Sequence, residues 1–232
     1  MLGIYILEID RNLKTEEFAR LLNFVSKEKQ ERIQRFRRYE DAQRAVLGDL
    51  MARSAILGRA SIKNKDLFFG TNDYGKPFLH NPSGLHFNIS HSGKWVACAV
   101  DNNPVGIDVE EVKPIDFKIA ERFFSASEYE SIISQPEEKR VNCFYRIWTL
   151  KESFVKAEGK GLSIPLHSFS MEIDQDSIKA KIGDEYSRYT FSQIWQDKSA
   201  VTSVCSLDIN PYSMENYNVD SFLSFLSNHD YF

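Results

Sequence analysis

Three things are scarce or lacking in this chain of 232 residues: cysteine, long apolar runs and a net positive charge. The three cysteines, Cys98, Cys143 and Cys205, stand far apart and form no C-x-x-C pair. That spacing argues against a zinc site or dithiol redox chemistry. Cys98 and Cys205 each sit in an apolar run and read as buried thiols, which suits a reducing compartment and a cytoplasmic protein. No apolar run reaches the length of a membrane span. The opening "MLGIYILEID" is apolar only briefly before Glu8 and Asp10 and has no basic leader, so it reads as a first strand and not a signal peptide. The formal net charge is -4. Bulk attraction to nucleic acid or to an anionic membrane is therefore not expected, and any anion site must be local.

What is present is a globular composition, 42% hydrophobic and 13% aromatic. The length suits one large domain or two small ones. "GIYILEI" reads as a strand. Residues 15–59 read as helical, with Ser26 placed to restart a helix as an N-cap. "DLFF", "LHFNIS", "KWVACAV" and "VGIDVEEV" read as strands, with turn chemistry at Asn72–Pro77 and Asp101–Pro104. The order then repeats. Ser125 and Glu128 have capping-box spacing, residues 138–158 are helical, and "SFSMEI", "RYTFSQIW" and "AVTSVCSL" are strand-like. Ser26 after "NFV" matches Ser125 after "RFF", and "HFNIS…WVACAV" resembles "YTFSQIW…AVTSVCSL". We therefore expect an α+β fold of two similar α/β halves packed as an intramolecular pseudo-dimer, with a ligand cleft between them. The boundaries expected are 1–103 and 104–209, with 210–232 as a peripheral tail.

The chemistry-bearing residues gather in a few stretches. In "GIDVEEV", Asp108 and Glu110 are two apart on a strand and share a face. A solvated strand end is one reading. A hard-cation site is the other, since paired carboxylates with open positions suit Mg²⁺. Glu152, in "WTLKESFVKAEGKGL", is a candidate third ligand, or else an i,i+4 partner of Lys156. "FNISHSGKW" sets Ser90, His91 and Ser92 after a strand, a group of polar donors that suits phosphate or sugar contacts. In "YGKP", Lys76 projects from a tight turn. Ser26–Arg44 holds seven basic residues against four acidic ones, either a solvated helix face or an anion-binding rim of Lys29, Arg32 and Arg44. Two further readings stand beside these: another Mg²⁺-dependent enzyme acting on a pyrophosphate substrate, and an RNA-binding module on the basic segment, against which the overall acidity counts.

The order "YGKP", "FNISHS", "GIDVE", "FFSASEY", "WTLKESFVKAEGKGL" closely resembles that of the 4'-phosphopantetheinyl transferases of the surfactin-synthetase-activating (Sfp) type. The resemblance runs from "SKEKQERIQRF" to "GLSIPLHSFS" and weakens after about residue 175. It implies two similar α/β halves in one chain. It implies transfer of the phosphopantetheine arm of coenzyme A to a serine of an apo carrier protein, with adenosine 3',5'-bisphosphate released and Mg²⁺ required. By matching position, Asp108, Glu110 and Glu152 are the expected metal ligands. Lys29, Arg32, Arg44, Lys76, Ser90, His91, Lys151 and Lys156 are expected to face coenzyme A, and Glu152, Asp108 and Lys156 to carry the chemistry. Glu152, a metal-bound water and His91 are all candidates for the base. The implied partners are peptidyl carriers of non-ribosomal peptide synthetases and also acyl carriers, met by a cytoplasmic monomer that binds neither nucleic acid nor membrane. Ile115, Phe117 and Phe124 follow the acidic strand and are candidates for carrier docking.

Overall fold

The computed structural model describes residues 1–60, 62–80, 84–175 and 177–228. The first half runs β1 (Leu2–Glu8), α1 (Thr15–Leu22), α2 (Lys27–Gln34), α3 (Tyr39–Leu57), β2 (Phe69–Thr71), β3 (Pro77–Leu79), β4 (His86–Ser92) and β5 (Trp95–Asp101). The second runs β6 (Val105–Glu111), α4 (Lys118–Phe123), α5 (Ala126–Ile133), α6 (Glu137–Glu158), β7 (Ser170–Ile173), β8 (Ile178–Ile182), β9 (Glu185–Tyr186), β10 (Thr190–Gln196) and β11 (Ala200–Ser206). β12 (Tyr212–Asn218) and α7 (Val219–Asn228) follow.

The repeat read from the sequence is a repeat of topology. One sheet has the order β12-β1-β5-β4 and another β10-β11-β6. In each, the first strand of the half lies antiparallel to the last, and the last antiparallel to its predecessor. Both serines start their helices. Ser26 Oγ accepts from Lys29 N at the head of α2, and Ser125 forms a full capping box with Glu128 at the head of α5.

Period-two alternation stacks these elements into four layers. Val46, Leu50 and Met51 of α3 pack on Val96, Cys98 and Val100 of β5. The alternate residues Ala97 and Ala99, with Ile4 and Ile6 of β1, meet Ile107, Val109 and Val204 of the other sheet. Beyond that sheet, Leu150 and Phe154 of α6 cover Cys205. Each fully buried aliphatic chain of this kind contributes roughly 1.5–3 kcal/mol. Gly106 lets β6 lie tight against α6, since a Cβ there would fall 2.0 Å from the carbonyl oxygen of Ser153.

A clamp joins the halves at the far end of α6. The Asn72 side chain organises the β2–β3 turn by accepting from the backbone N–H of Tyr74 and Lys76, and it donates to Gly159 O at 2.7 Å. Lys76 Nζ donates to Ala157 O and Val105 O, each at 3.1 Å. The last carbonyls of α6 thus find donors in the other half.

The expectation of a peripheral tail is overturned. β12 pairs with β1 in parallel over its whole length, and α7 buries Val219, Phe222, Leu223 and Leu226 in the core of the first half. The sequence does not announce the strand, because "YSMENYN" is an edge strand, almost entirely exposed and without apolar alternation. Phe222→Ala is accordingly expected to cost about 3–5 kcal/mol in denaturant unfolding. A loss within experimental error would mean that the tail is an ornament.

Candidate active site

The site grows out of how β4 meets β6. These strands are the facing edges of the two sheets, and they are joined by side chains instead of a backbone ladder. Three alternate residues of β4 reach across. Asn88 Oδ1 accepts from the Ile107 N–H at 2.9 Å, Ser90 Oγ donates to Asp108 at 2.9 Å, and Ser92 Oγ donates to Glu110 at 2.6 Å. The opposite face of β4 carries Phe87, Ile89 and His91.

Above β6 lies α6, whose residues 148, 152 and 156 are spaced to share one face. Lys156 Nζ donates to Asp108 Oδ1 at 2.6 Å and to Ser90 Oγ at 2.9 Å. The Trp148 indole lies on the same face and favours the ionised form of Glu110. Asp108 is only 3% exposed, and its second oxygen, Oδ2, has no hydrogen-bond partner. Burial raises the pKa of Asp108, opposed by Lys156 and Ser90. Burial and then the Asp108 charge raise that of Glu110. Glu152 is raised by burial and by Asp108, with a smaller push from Glu110. Each carboxylate feels its neighbours, so the three form one electrostatic unit.

Among the described residues no three acid, histidine or cysteine side chains are drawn together as a finished metal cage. The donor set nonetheless fits a hard cation. It offers carboxylate oxygens, one of them buried and unpartnered, in a cluster with more negative charge than Lys156 balances.

The other expected residues fall into separate groups. Lys29 and Arg32 line a cavity of about 340 Å³ with Phe69, Thr71, Phe87 and Ile89. Lys29 stands 3.8 Å from Asp49, which is itself held by Arg53. Arg44 pairs with Asp41 and donates to Gly93 O at 2.7 Å, bracing the turn after β4. His91 lies on this side. Desolvation, and then the Arg44 charge, lower its pKa although the residue keeps an exposed edge. His91 thus points from the opposite face of β4 to Ser90 and Ser92, although the Lys156 charge still helps to lower its pKa. Ser90 holds Asp108 and Lys156, the carboxylate site itself. Lys76 is engaged in the clamp, and burial lowers its pKa to about 8.

Lys151 is a correction. It is 0% exposed and turned away from the cleft, with Nζ donating to both Glu128 oxygens at 2.8 Å and to Phe169 O at 2.6 Å. A coenzyme A contact is not open to it. The signal was in the spacing, since adjacent helical residues point about 100° apart and Lys151 follows Leu150 into the core. Phe124 is also core, stacked on Phe144, while Phe117 and Ile115 are half-buried beside it. Ser92, expected as a phosphate or sugar contact, instead donates to Glu110, and Trp148, which was not among the expected site residues, acts on the same carboxylate.

Comparison with known proteins accords with this geometry. A family model described as "4'-phosphopantetheinyl transferase superfamily" matches residues 104–205, and one described as "4'-phosphopantetheinyl transferase, N-terminal" matches 12–103. The chain is 43% identical to the 4'-phosphopantetheinyl transferase Sfp of Bacillus subtilis (strain 168) over 204 residues, 88% of this chain and 91% of that one. It is 45% identical to the 4'-phosphopantetheinyl transferase gsp of Aneurinibacillus migulanus, over 72% of this chain and 68% of the other. A crystal structure of Thermotoga maritima holo-[acyl-carrier-protein] synthase aligns with 44% of this chain and 61% of its own, at TM-score 0.38 and 23% identity. The chain belongs to the 4'-phosphopantetheinyl transferase superfamily, in its Sfp-type branch. It is an enzyme, a phosphopantetheinyl transferase. No helix among the described residues is long and apolar enough to cross a membrane.

The crowded carboxylates have a stability consequence. The folded pKa of Glu152 is raised, so its ionised form opposes folding. That cost is absent in acid below the unfolded value and grows as pH climbs through the folded one. Without metal or substrate, Glu152→Gln is expected to raise the melting temperature at pH 7 by about 2–4 °C, the shift that ~1 kcal/mol produces in a protein of this size. The gain should vanish at acidic pH. A gain independent of pH, measured by calorimetric melting, would contradict the electrostatic cause.

Proposed function

We propose that this protein transfers the 4'-phosphopantetheine arm of coenzyme A to the serine of an apo carrier protein, with Mg²⁺, releasing adenosine 3',5'-bisphosphate. The observation that carries this reading is the seam cluster: Asp108, Glu110 and Glu152 beside Lys156, with a buried and unpartnered Asp108 oxygen. Asp108, through Oδ2, together with Glu110 and Glu152 would hold Mg²⁺. Such a cation supplies positive charge to the pyrophosphate and the departing phosphate.

The chain's own groups do the rest. Lys156 faces the same cleft, with a side chain 27% exposed, and can neutralise a pyrophosphate oxygen. Lys29 and Arg32 offer charge to the remaining phosphate from the neighbouring cavity. Ser90 and Ser92 fix the carboxylates, so little reorganisation is needed when charge develops. The carrier serine oxygen bonds to the β-phosphorus as the bond from that phosphorus to the bridging oxygen breaks. Glu152 takes the serine proton, because it accepts no hydrogen bond from any described residue and shares the α6 face of Trp148 and Lys156 that meets the cluster. Peptidyl carriers of non-ribosomal peptide synthetases are the proposed substrates, with acyl carriers second. The half-buried Phe117, close after β6, is the proposed apolar contact for the carrier.

Incubation with coenzyme A, Mg²⁺ and a panel of apo carriers should add the mass of the phosphopantetheine arm to a carrier serine. Asp108→Asn and Glu152→Gln should each lower kcat by about 100- to 1,000-fold, the range seen on losing a preorganised charge-stabilising group, while both proteins stay folded. Pyrophosphate cleavage without modification of any carrier would favour the nucleotide-hydrolase reading instead.

A further inference from the structure

The carboxylate cluster already contains a cation of its own. Lys156 Nζ lies 2.6 Å from Asp108 Oδ1 and 2.9 Å from Ser90 Oγ, and it lowers the pKa of both Glu110 and Glu152 by its charge. Asp108 keeps its other oxygen, Oδ2, buried and unpartnered. The groups facing Lys156 are therefore Asp108, Glu110 and Glu152, with His91 more distant across β4. One ammonium against three acids is an incomplete balance, and it leaves an oxygen for a second cation. Two cations on one small carboxylate repel each other.

We propose that Lys156 is an exchangeable counter-ion that stands on Asp108 in the free protein and transfers to the substrate's pyrophosphate when a divalent cation arrives at Asp108. This rests on the reading of Asp108, Glu110 and Glu152 as Mg²⁺ ligands. The side chain is built for the move. It is 27% exposed, it comes from the last turn of α6, and among the described residues its only hydrogen bonds are the two to the seam. Lys151 on the same helix shows the contrast, since it is locked among Glu128 and Phe169 and cannot change partner.

The exchange has a thermodynamic signature. Mg²⁺ alone must bind against Lys156, whereas coenzyme A offers the displaced ammonium a new anion. Metal and substrate should therefore assist one another, each raising the other's affinity by the same factor. Removing the ammonium should tighten metal binding in the absence of coenzyme A, whereas removal of a lysine that only binds substrate would leave it unchanged.

The test is calorimetric titration of Mg²⁺ into the wild type and into Lys156→Met, without coenzyme A. We expect about tenfold tighter Mg²⁺ binding by the variant, within the range typical of coupled sites. A second measurement on the wild type does not depend on the variant folding. Competitive amine labelling, read by peptide mass spectrometry, should find Lys156 more reactive after Mg²⁺ and protected again once coenzyme A is added. Equal or weaker Mg²⁺ binding by a folded Lys156→Met, or labelling of Lys156 that Mg²⁺ leaves unchanged, overturns the exchange while leaving the metal site standing. Failure of either protein to bind Mg²⁺, even with coenzyme A present, overturns the exchange together with the metal site on which it rests.

Discussion

Two sheet edges that do not pair through their backbones are the constraint from which the rest of this structure follows. An edge strand leaves donors and acceptors that must be satisfied. Here β4 serves β6 with side chains: Asn88 takes the Ile107 N–H, and Ser90 and Ser92 bind the carboxylates of Asp108 and Glu110. Because the three residues alternate, one face of β4 is committed to this seam and the other is free for the cavity lined by Phe87 and Ile89. A backbone ladder would have used the same edge groups and left no reason for hydroxyls or acids at that place.

The pseudo-symmetry shows how one half became chemical. Gly3 stands opposite Val100 in the first sheet, as Gly106 stands opposite Cys205 in the second. With that register Tyr5 corresponds to Asp108 and Leu7 to Glu110. Counting back from the glycines that end α3 and α6, Gly58 and Gly159, Met51 corresponds to Glu152 and Ala55 to Lys156. The first half places mainly apolar side chains where the second places three acids and a lysine. Leu7, Met51 and Ala55 lie in its core. The same scaffold therefore packs a helix onto a sheet with hydrophobic contact in one copy and with charge in the other, and the clamp from Asn72 and Lys76 reinforces the charged copy.

Much of this was legible in the residues, and the failures have physical causes. Ser26 and Ser125 announced their helices because capping is local chemistry, written in three or four consecutive positions. "HFNIS…WVACAV" and "YTFSQIW…AVTSVCSL" announced the repeat because strands of equivalent register must bury equivalent positions. The short α4, β3, β8 and β9 were not read, since pieces of two to six residues carry too little periodicity. β12 was missed because its place is decided by pairing with β1, a contact some two hundred residues distant in sequence. In the site, Asp108, Glu110 and Glu152 were found by type and spacing. The role of Ser90 as a carboxylate support depends on a cross-sheet approach that spacing cannot encode.

Lys151 and Lys156 bring out what a motif leaves unsaid, for both belong to one short run of sequence and they do opposite things. Lys151 is buried among Glu128, Phe169 and Phe124, with the ammonium over two aromatic rings. Glu128 in turn caps α5 and accepts from Met171 N, so a single ion pair ties α5, α6 and β7 together. A buried pair of this kind is weak as a source of stability but costly to break from one side, because the remaining charge is stranded. That makes it a good index of rotation. With Lys151 fixed in the core, α6 can present residues 148, 152 and 156 only toward β6. The motif's two lysines are thus complementary. The immobile one sets the phase of the helix, and that phase delivers the movable one, with Glu152 and Trp148, to the seam where the unpartnered oxygen of Asp108 lies.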